Sequence, residues 1–157
     1  MAAVGDGERR VVCRDPASTS ALGRALGTVA RAGDLICLWG DLGAGKTHLA
    51  KAIGAGLGVT ATITSPSFVL MAEYEGRLPL FHIDLYRLAD AADALAGGLI
   101  DDRQVAGVTL VEWPERLADA LPADRLDVII DGTGEEPREI RLRALGGRYQ
   151  PYLAVAA

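Results

Sequence analysis

The 157-residue sequence contains no asparagine, only two histidines and two cysteines, and fewer basic than acidic residues. Each shortage closes off a class of function. Without asparagine the N-K-x-D motif that reads guanine cannot be written, which argues against a GTPase switch although Asp131-Gly132-Thr133-Gly134 matches D-x-x-G. Cys13 and Cys37 lie in separate apolar runs and read as buried, reduced thiols. Together with His48 and His82 they show no metal-ligand spacing. No run of about 18 apolar residues occurs, and the opening MAAVGDGERR carries acid and no apolar core, so neither a membrane span nor a secretory signal is visible. A cytoplasmic location is expected. Sixteen Lys and Arg against 21 Asp and Glu leave a net charge of −5. That balance speaks against this surface gripping nucleic acid unaided, because neutralising phosphates takes clustered basic side chains.

Hydrophobic residues, at 50%, and charged residues, at 24%, are present in the proportions of a globular protein. The length predicts one domain over residues 1–157, with residues 1–8 and 146–157 as frayed tails. Nineteen glycines suit tight turns between strands and helices and close helix packing.

Glycine is most concentrated where the chain is most informative. The apolar run LICLW at 35–39 reads as a buried strand, and an apolar helical period begins at Leu49 and continues through Ile53 and Leu57. Between them lies Gly40-Asp41-Leu42-Gly43-Ala44-Gly45-Lys46-Thr47, the G-x-x-x-x-G-K-T pattern of a phosphate-binding loop. Its glycines let backbone N–H groups turn inward around anionic oxygens, and the N-terminus of the following helix adds partial positive charge. Lys46 would reach the β- and γ-phosphates of a nucleoside triphosphate, and the Thr47 hydroxyl would ligate Mg²⁺.

The rest of the chain surrounds this unit. Residues 9–14 predict a short edge strand; residues 15–19 offer several helix caps before a helix with Leu22, Leu26 and Val29 on one face. Residues 60–68, rich in hydroxyls and holding Pro66, read as a loop. Residues 68–74 and 78–86 predict a hairpin, with Phe81, Ile83 and Leu85 on a core face and His82, Asp84 and Tyr86 on a face for chemistry. A modest helix is expected within 87–102, a buried strand over 108–111, and a brief helix over 115–121. The runs 126–131 and 138–144 predict a C-terminal antiparallel hairpin, with Leu126, Val128 and Ile130 half-exposed and Asp131 in the turn. The fold class is α/β: a P-loop mixed sheet flanked by helices.

A P-loop needs an acid at the tip of a neighbouring strand. Glu112 stands where an apolar run ends; it reads either as a magnesium-site carboxylate or as an acid beside a helix N-terminus. Asp84 reads either as a second such acid or as an ion-pair partner of Arg87 or another basic residue. Thr64, Ser65 and Ser67 could order a switch loop around the γ-phosphate or belong to a plain connection. His82 alone is weak evidence, since a strand histidine commonly just satisfies a hydrogen bond.

Four stretches in this order and spacing, GDLGAGKT (40–47), TSPSF (64–68), HIDLYRL (82–88) and VEWPE (111–115), resemble the TsaE family, also called YjeE. That family comprises bacterial ATPases of tRNA threonylcarbamoyladenosine synthesis. The resemblance implies an ATP- and Mg²⁺-dependent ATPase that works with TsaB and TsaD, the partners holding the tRNA. It implies that residues Gly43 to His48 wrap the phosphates, that Thr47 and Glu112 hold magnesium, and that Asp84 serves hydrolysis or the metal. Thr64 to Ser67 match the switch loop, Trp113 would lie close to the nucleotide, and Thr19 and Arg138 sit where the family contacts adenine or flanking groups. Ser67 replaces the family's usual threonine and keeps the hydroxyl, whereas residues 93–98 are plainer than the family's acidic and aromatic pattern. Two other readings remain open on the residues alone. One is a small-molecule kinase, which would need an arginine-bearing lid; the other is a module that holds ATP without hydrolysing it.

Overall fold

The computed structural model describes residues 7–64, 71–86 and 102–155. Its strands are β1 (Gly7–Cys13), β2 (Leu35–Gly40), β3 (Met71–Tyr74), β4 (Leu80–Asp84), β5 (Val108–Glu112), β6 (Arg125–Asp131) and β7 (Arg138–Leu145). Its helices are α1 (Pro16–Val29) and α2 (Lys46–Gly56), with 3₁₀ segments at Asp102–Ala106, Pro114–Ala120 and Gly147–Ala154.

The strands form one seven-stranded sheet in the order β1-β7-β6-β2-β5-β4-β3. The β6, β2, β5 and β4 strands run parallel at its centre; β7 on one side and β3 on the other pair with them antiparallel, and β1 pairs antiparallel with β7. Parallel strands are covered on both faces, which is why LICL, LFHI and VTLV read as nearly unbroken apolar runs. The carboxyl ends of β2, β4 and β5 meet at one edge, with Leu38 and Asp84 both registered on Glu112.

On one face, α1 and α2 cover a core that includes Leu22, Leu26, Ile36, Leu38, Leu49, Ile53, Leu110 and Val128. Asp15 caps α1, accepting from the Ser18 N–H at 2.8 Å, and Pro16 supplies a preset first turn. The two helices touch through glycine: a Cβ on Gly27 would collide with the Ile53 carbonyl oxygen, and one on Gly56 with that of Arg24. On the other face, Leu117 of the Pro114–Ala120 segment packs over Leu35, Cys37, Ile83, Leu85 and Val111.

Several sequence expectations are corrected. Gly7 and Glu8 are not frayed but pair with Ala144 and Arg143 at the start of β1. Nor is the segment after residue 146 a loose tail. Tyr149 and Tyr152 are each 1% exposed, and the Tyr152 hydroxyl donates to the Asp34 carboxylate. The Leu35 N–H donates to the Tyr149 hydroxyl at 2.9 Å, and Arg9 holds the carbonyls of Leu153 and Val155. Two buried phenol rings with bonded hydroxyls give this glycine- and proline-containing stretch an anchor that helical periodicity does not reveal. Leu126, Val128 and Ile130 are buried rather than half-exposed, because β6 lies inside the sheet between β2 and β7. The brief helix expected over 115–121 takes 3₁₀ form, at Pro114–Ala120. The predicted strand start at 68–70 and most of the helix over 87–102 lie outside the described residues.

Candidate functional site

The loop between β2 and α2 takes the conformation its glycines permit. Gly43 and Gly45 have φ of +84° and +102°, in the left-handed region, and a Cβ at either would meet nothing within 4 Å. The loop therefore surrounds open space. Gly45 caps α2 without a side-chain bond, so the helix presents its first N–H groups to that space.

Lys46, 6% exposed, folds its ammonium back to donate to the carbonyls of Gly40 and Asp41. The ammonium also lies 3.7 Å from the centroid of the Trp113 ring. Burial pushes its pKa below the ordinary lysine value, and the nearby charges of Glu112, Glu115, Asp84 and Asp41 oppose that shift. Trp113 itself has φ of +61°, the sole non-glycine residue with positive φ among those described. Its indole stacks obliquely on Tyr86 with ring centroids 5.0 Å apart. This geometry sets the tryptophan over the lysine at some backbone cost.

Beside the lysine, the Thr47 hydroxyl points at the Glu112 carboxylate, 3.2 and 3.4 Å from its two oxygens. Glu112 is 2% exposed. Asp84, its register partner on β4, accepts from the Tyr86 N–H at 3.0 Å. Lys46, Thr47, Asp84, Glu112, Trp113 and the exposed Asp41 and Leu42 line one depression of about 380 Å³. The two predicted acids thus come together with the predicted lysine and threonine.

A second depression of about 490 Å³ shares Gly45 and His48 with the first and continues past Ala44. It is lined by Thr19 and Asp15 from the start of α1, by Glu136 from the β6–β7 connection and by Arg138 at the start of β7. His48 Nε2 sits 3.0 Å from the Ser20 hydroxyl and 3.1 Å from the Pro16 carbonyl, tying α2 to α1. Arg138 donates to the Ala44 carbonyl at 2.8 Å and to that of Gly134 at 3.0 Å, bracing the glycine loop from behind. A kinase-like arginine lid is not built from the C-terminal hairpin: Arg141 pairs with Glu8 at 3.7 Å and Asp131 at 4.0 Å, on the far edge. Ser65 and Ser67 lie outside the described residues.

Sequence reasoning undervalued one group. His82, placed on the face for chemistry but discounted as a strand histidine that satisfies a hydrogen bond, is fully buried, and its Nε2 lies 2.6 Å from Glu112 Oε2. The available signal was its place two residues before Asp84 on the same strand, hence on the same face.

A strand, a glycine loop, a helix starting at a buried lysine, and a carboxylate at the tip of the adjacent strand define a P-loop α/β protein. The family model described as "Threonylcarbamoyl adenosine biosynthesis protein TsaE" matches residues 13–140. The chain belongs to the TsaE family. It is 41% identical to the tRNA threonylcarbamoyladenosine biosynthesis protein TsaE of Bacillus subtilis over 137 residues, 87% of this chain and 85% of that protein. It is 40% identical to the Streptomyces coelicolor protein of the same name, over 82% of this chain and 91% of the relative. The crystal structure of Bacillus YdiB superposes with a TM-score of 0.73 at 36% identity, covering 97% of this chain and 94% of that one.

Proposed function

We propose that this chain is a Mg²⁺-dependent ATPase of tRNA threonylcarbamoyladenosine biosynthesis, acting in the cytoplasm with TsaB and TsaD. One observation carries the reading: the Lys46 ammonium and the Thr47 hydroxyl converge with the Glu112 carboxylate beside an open glycine loop. The names of the relatives supply the process.

The residues fit a triphosphate and its metal. Backbone amides from Gly43 to His48 bind the phosphate oxygens, and Lys46 exchanges its loop carbonyls for β- and γ-oxygens. Thr47 and Glu112 hold the magnesium, with Asp84 beside them. Among the described residues no three His, Cys, Asp or Glu side chains form a metal cage of their own. Magnesium held there would supply countercharge to the triphosphate. Asp84 orients water or the metal's water shell. Trp113 covers the phosphate side, Thr19 and Arg138 flank the base side, and Ser65 and Ser67 belong to the switch loop.

Among the described residues no arginine lines the 380 Å³ depression. The isolated chain therefore hydrolyses ATP slowly, and its partners accelerate it by ordering the switch loop. The net charge of −5 agrees with partners, rather than this chain, holding the tRNA. ATP turnover measured with and without TsaB and TsaD tests the reading. Slow turnover that rises when the pair is added supports it; fast turnover by the chain alone, or no response to the pair, contradicts it.

A further inference from the structure

The buried histidine on β4 has no part in the reading above. The His82 side chain is 0% exposed and that of Glu112 3%. A carboxylate oxygen accepts, so Nε2 is the donor across the 2.6 Å that separates it from Oε2. The other ring nitrogen, Nδ1, is buried with no partner among the described residues. As a core residue, then, histidine is a poor choice: it leaves a polar atom unsatisfied where a leucine would leave none. Among the described residues, the one polar partner of its side chain is the acid that also receives Thr47.

That contact fixes a direction. Glu112 has two oxygens and few donors. With Oε2 engaged by His82, Oε1 is left as the oxygen nearer the Thr47 hydroxyl, at 3.2 Å against 3.4 Å for Oε2. We propose that His82 is a positioning residue, whose Nε2–H anchors Glu112 so that Oε1 and the Thr47 hydroxyl face one cation position. This rests on the reading that Thr47 and Glu112 hold magnesium. A hydrogen bond that orients a metal-binding carboxylate restricts its rotamers before the metal arrives, and such outer partners strongly influence affinity.

The test compares His82→Gln with His82→Asn in the full chain. Both introduce an amide, but only glutamine places its nitrogen where Nε2 stands; the asparagine amide is too short to reach Glu112. Calorimetry of ATP binding in Mg²⁺ and in EDTA gives the magnesium-dependent gain in affinity, without reference to turnover. In His82→Asn that gain should fall about 10-fold or more, whereas His82→Gln should stay within about 3-fold of wild type. Affinity in EDTA should not move in either. Thermal unfolding of both unliganded variants identifies any loss due to misfolding. Equal gains in wild type, Asn and Gln variants would overturn the proposal, as would equal losses in Asn and Gln variants that melt like wild type. If wild type itself showed no gain with Mg²⁺, the underlying magnesium reading would fail instead, a separate outcome.

Discussion

Two buried carboxylates at opposite ends of the sheet make an instructive pair. Asp34, just before β2, and Glu112, at the end of β5, are 1% and 2% exposed. Asp34 is saturated: it accepts from the Arg31 N–H at 3.0 Å, from Arg148 Nε at 2.9 Å and from the Tyr152 hydroxyl. A guanidinium neutralises it, and two of these partners, Arg148 and Tyr152, lie on the C-terminal segment it ties down. Glu112 accepts from Thr47 and His82, and among the described residues no lysine or arginine lies within ion-pair distance. It also borders an open depression. Equal burial thus conceals opposite purposes. An acid whose donors and countercharge are complete holds the fold, and one with no cation in ion-pair reach beside a cavity is where the proposed magnesium would sit.

The sharpest way to break this contrast is to remove each acid. Asp34→Ala should cost about 3–5 kcal/mol in urea unfolding, because it strands Arg148, Tyr152 and the C-terminal segment. The surviving folded fraction should still bind ATP with a magnesium-dependent gain. Glu112→Gln keeps one acceptor oxygen for His82 and turns an NH2 donor toward Thr47, whose hydroxyl can accept it, so its unfolding midpoint should barely move, while partner-stimulated ATP hydrolysis should fall about 100-fold or more. A reversal of the two outcomes would dissolve the distinction.

Smaller perturbations sharpen it. Tyr152→Phe removes one hydrogen bond to a charged group and should destabilise by about 2 kcal/mol, with nucleotide affinity unchanged. Burial and the adjacent Asp34 push the Tyr152 hydroxyl well above the ordinary tyrosine value of 10.0. The folded state therefore keeps a proton that the unfolded chain gives up, so stability is intact below about pH 10 and declines above it. From this residue the decline should reach about 1.4 kcal/mol per pH unit. Unfolding curves between pH 9 and 11 should slope less steeply for Tyr152→Phe; identical slopes would remove Tyr152 from the clamp.

The same contrast explains what could be read from the residues alone. The glycine loop, Lys46 and Thr47 form one contiguous pattern, and Asp84 and Glu112 each end an apolar run, so all were legible locally. Their meeting depends on β4 and β5 lying side by side in register, which no single stretch states. His82 went undervalued because its partner is 30 residues away. The C-terminal segment was misread because its anchor, Asp34, lies 118 residues from Tyr152. Strand β6 looked half-exposed because Arg125 and Asp127 interrupt it. They neutralise one another at 2.8 Å, and Asp127 also receives the Trp39 indole N–H at 2.8 Å. Polar groups that satisfy each other inside a fold have the sequence signature of a solvated face.

The claim on which the rest depends is that the space around the glycine loop accepts a triphosphate. Titration calorimetry of the folded wild-type chain with ATP and Mg²⁺, beside Lys46→Ala of equal thermal stability, addresses it directly. Saturable one-to-one binding by wild type, weakened about 100-fold or more in Lys46→Ala, is the predicted result. No ATP binding by well-folded wild-type protein, or undiminished binding by the lysine variant, would contradict it.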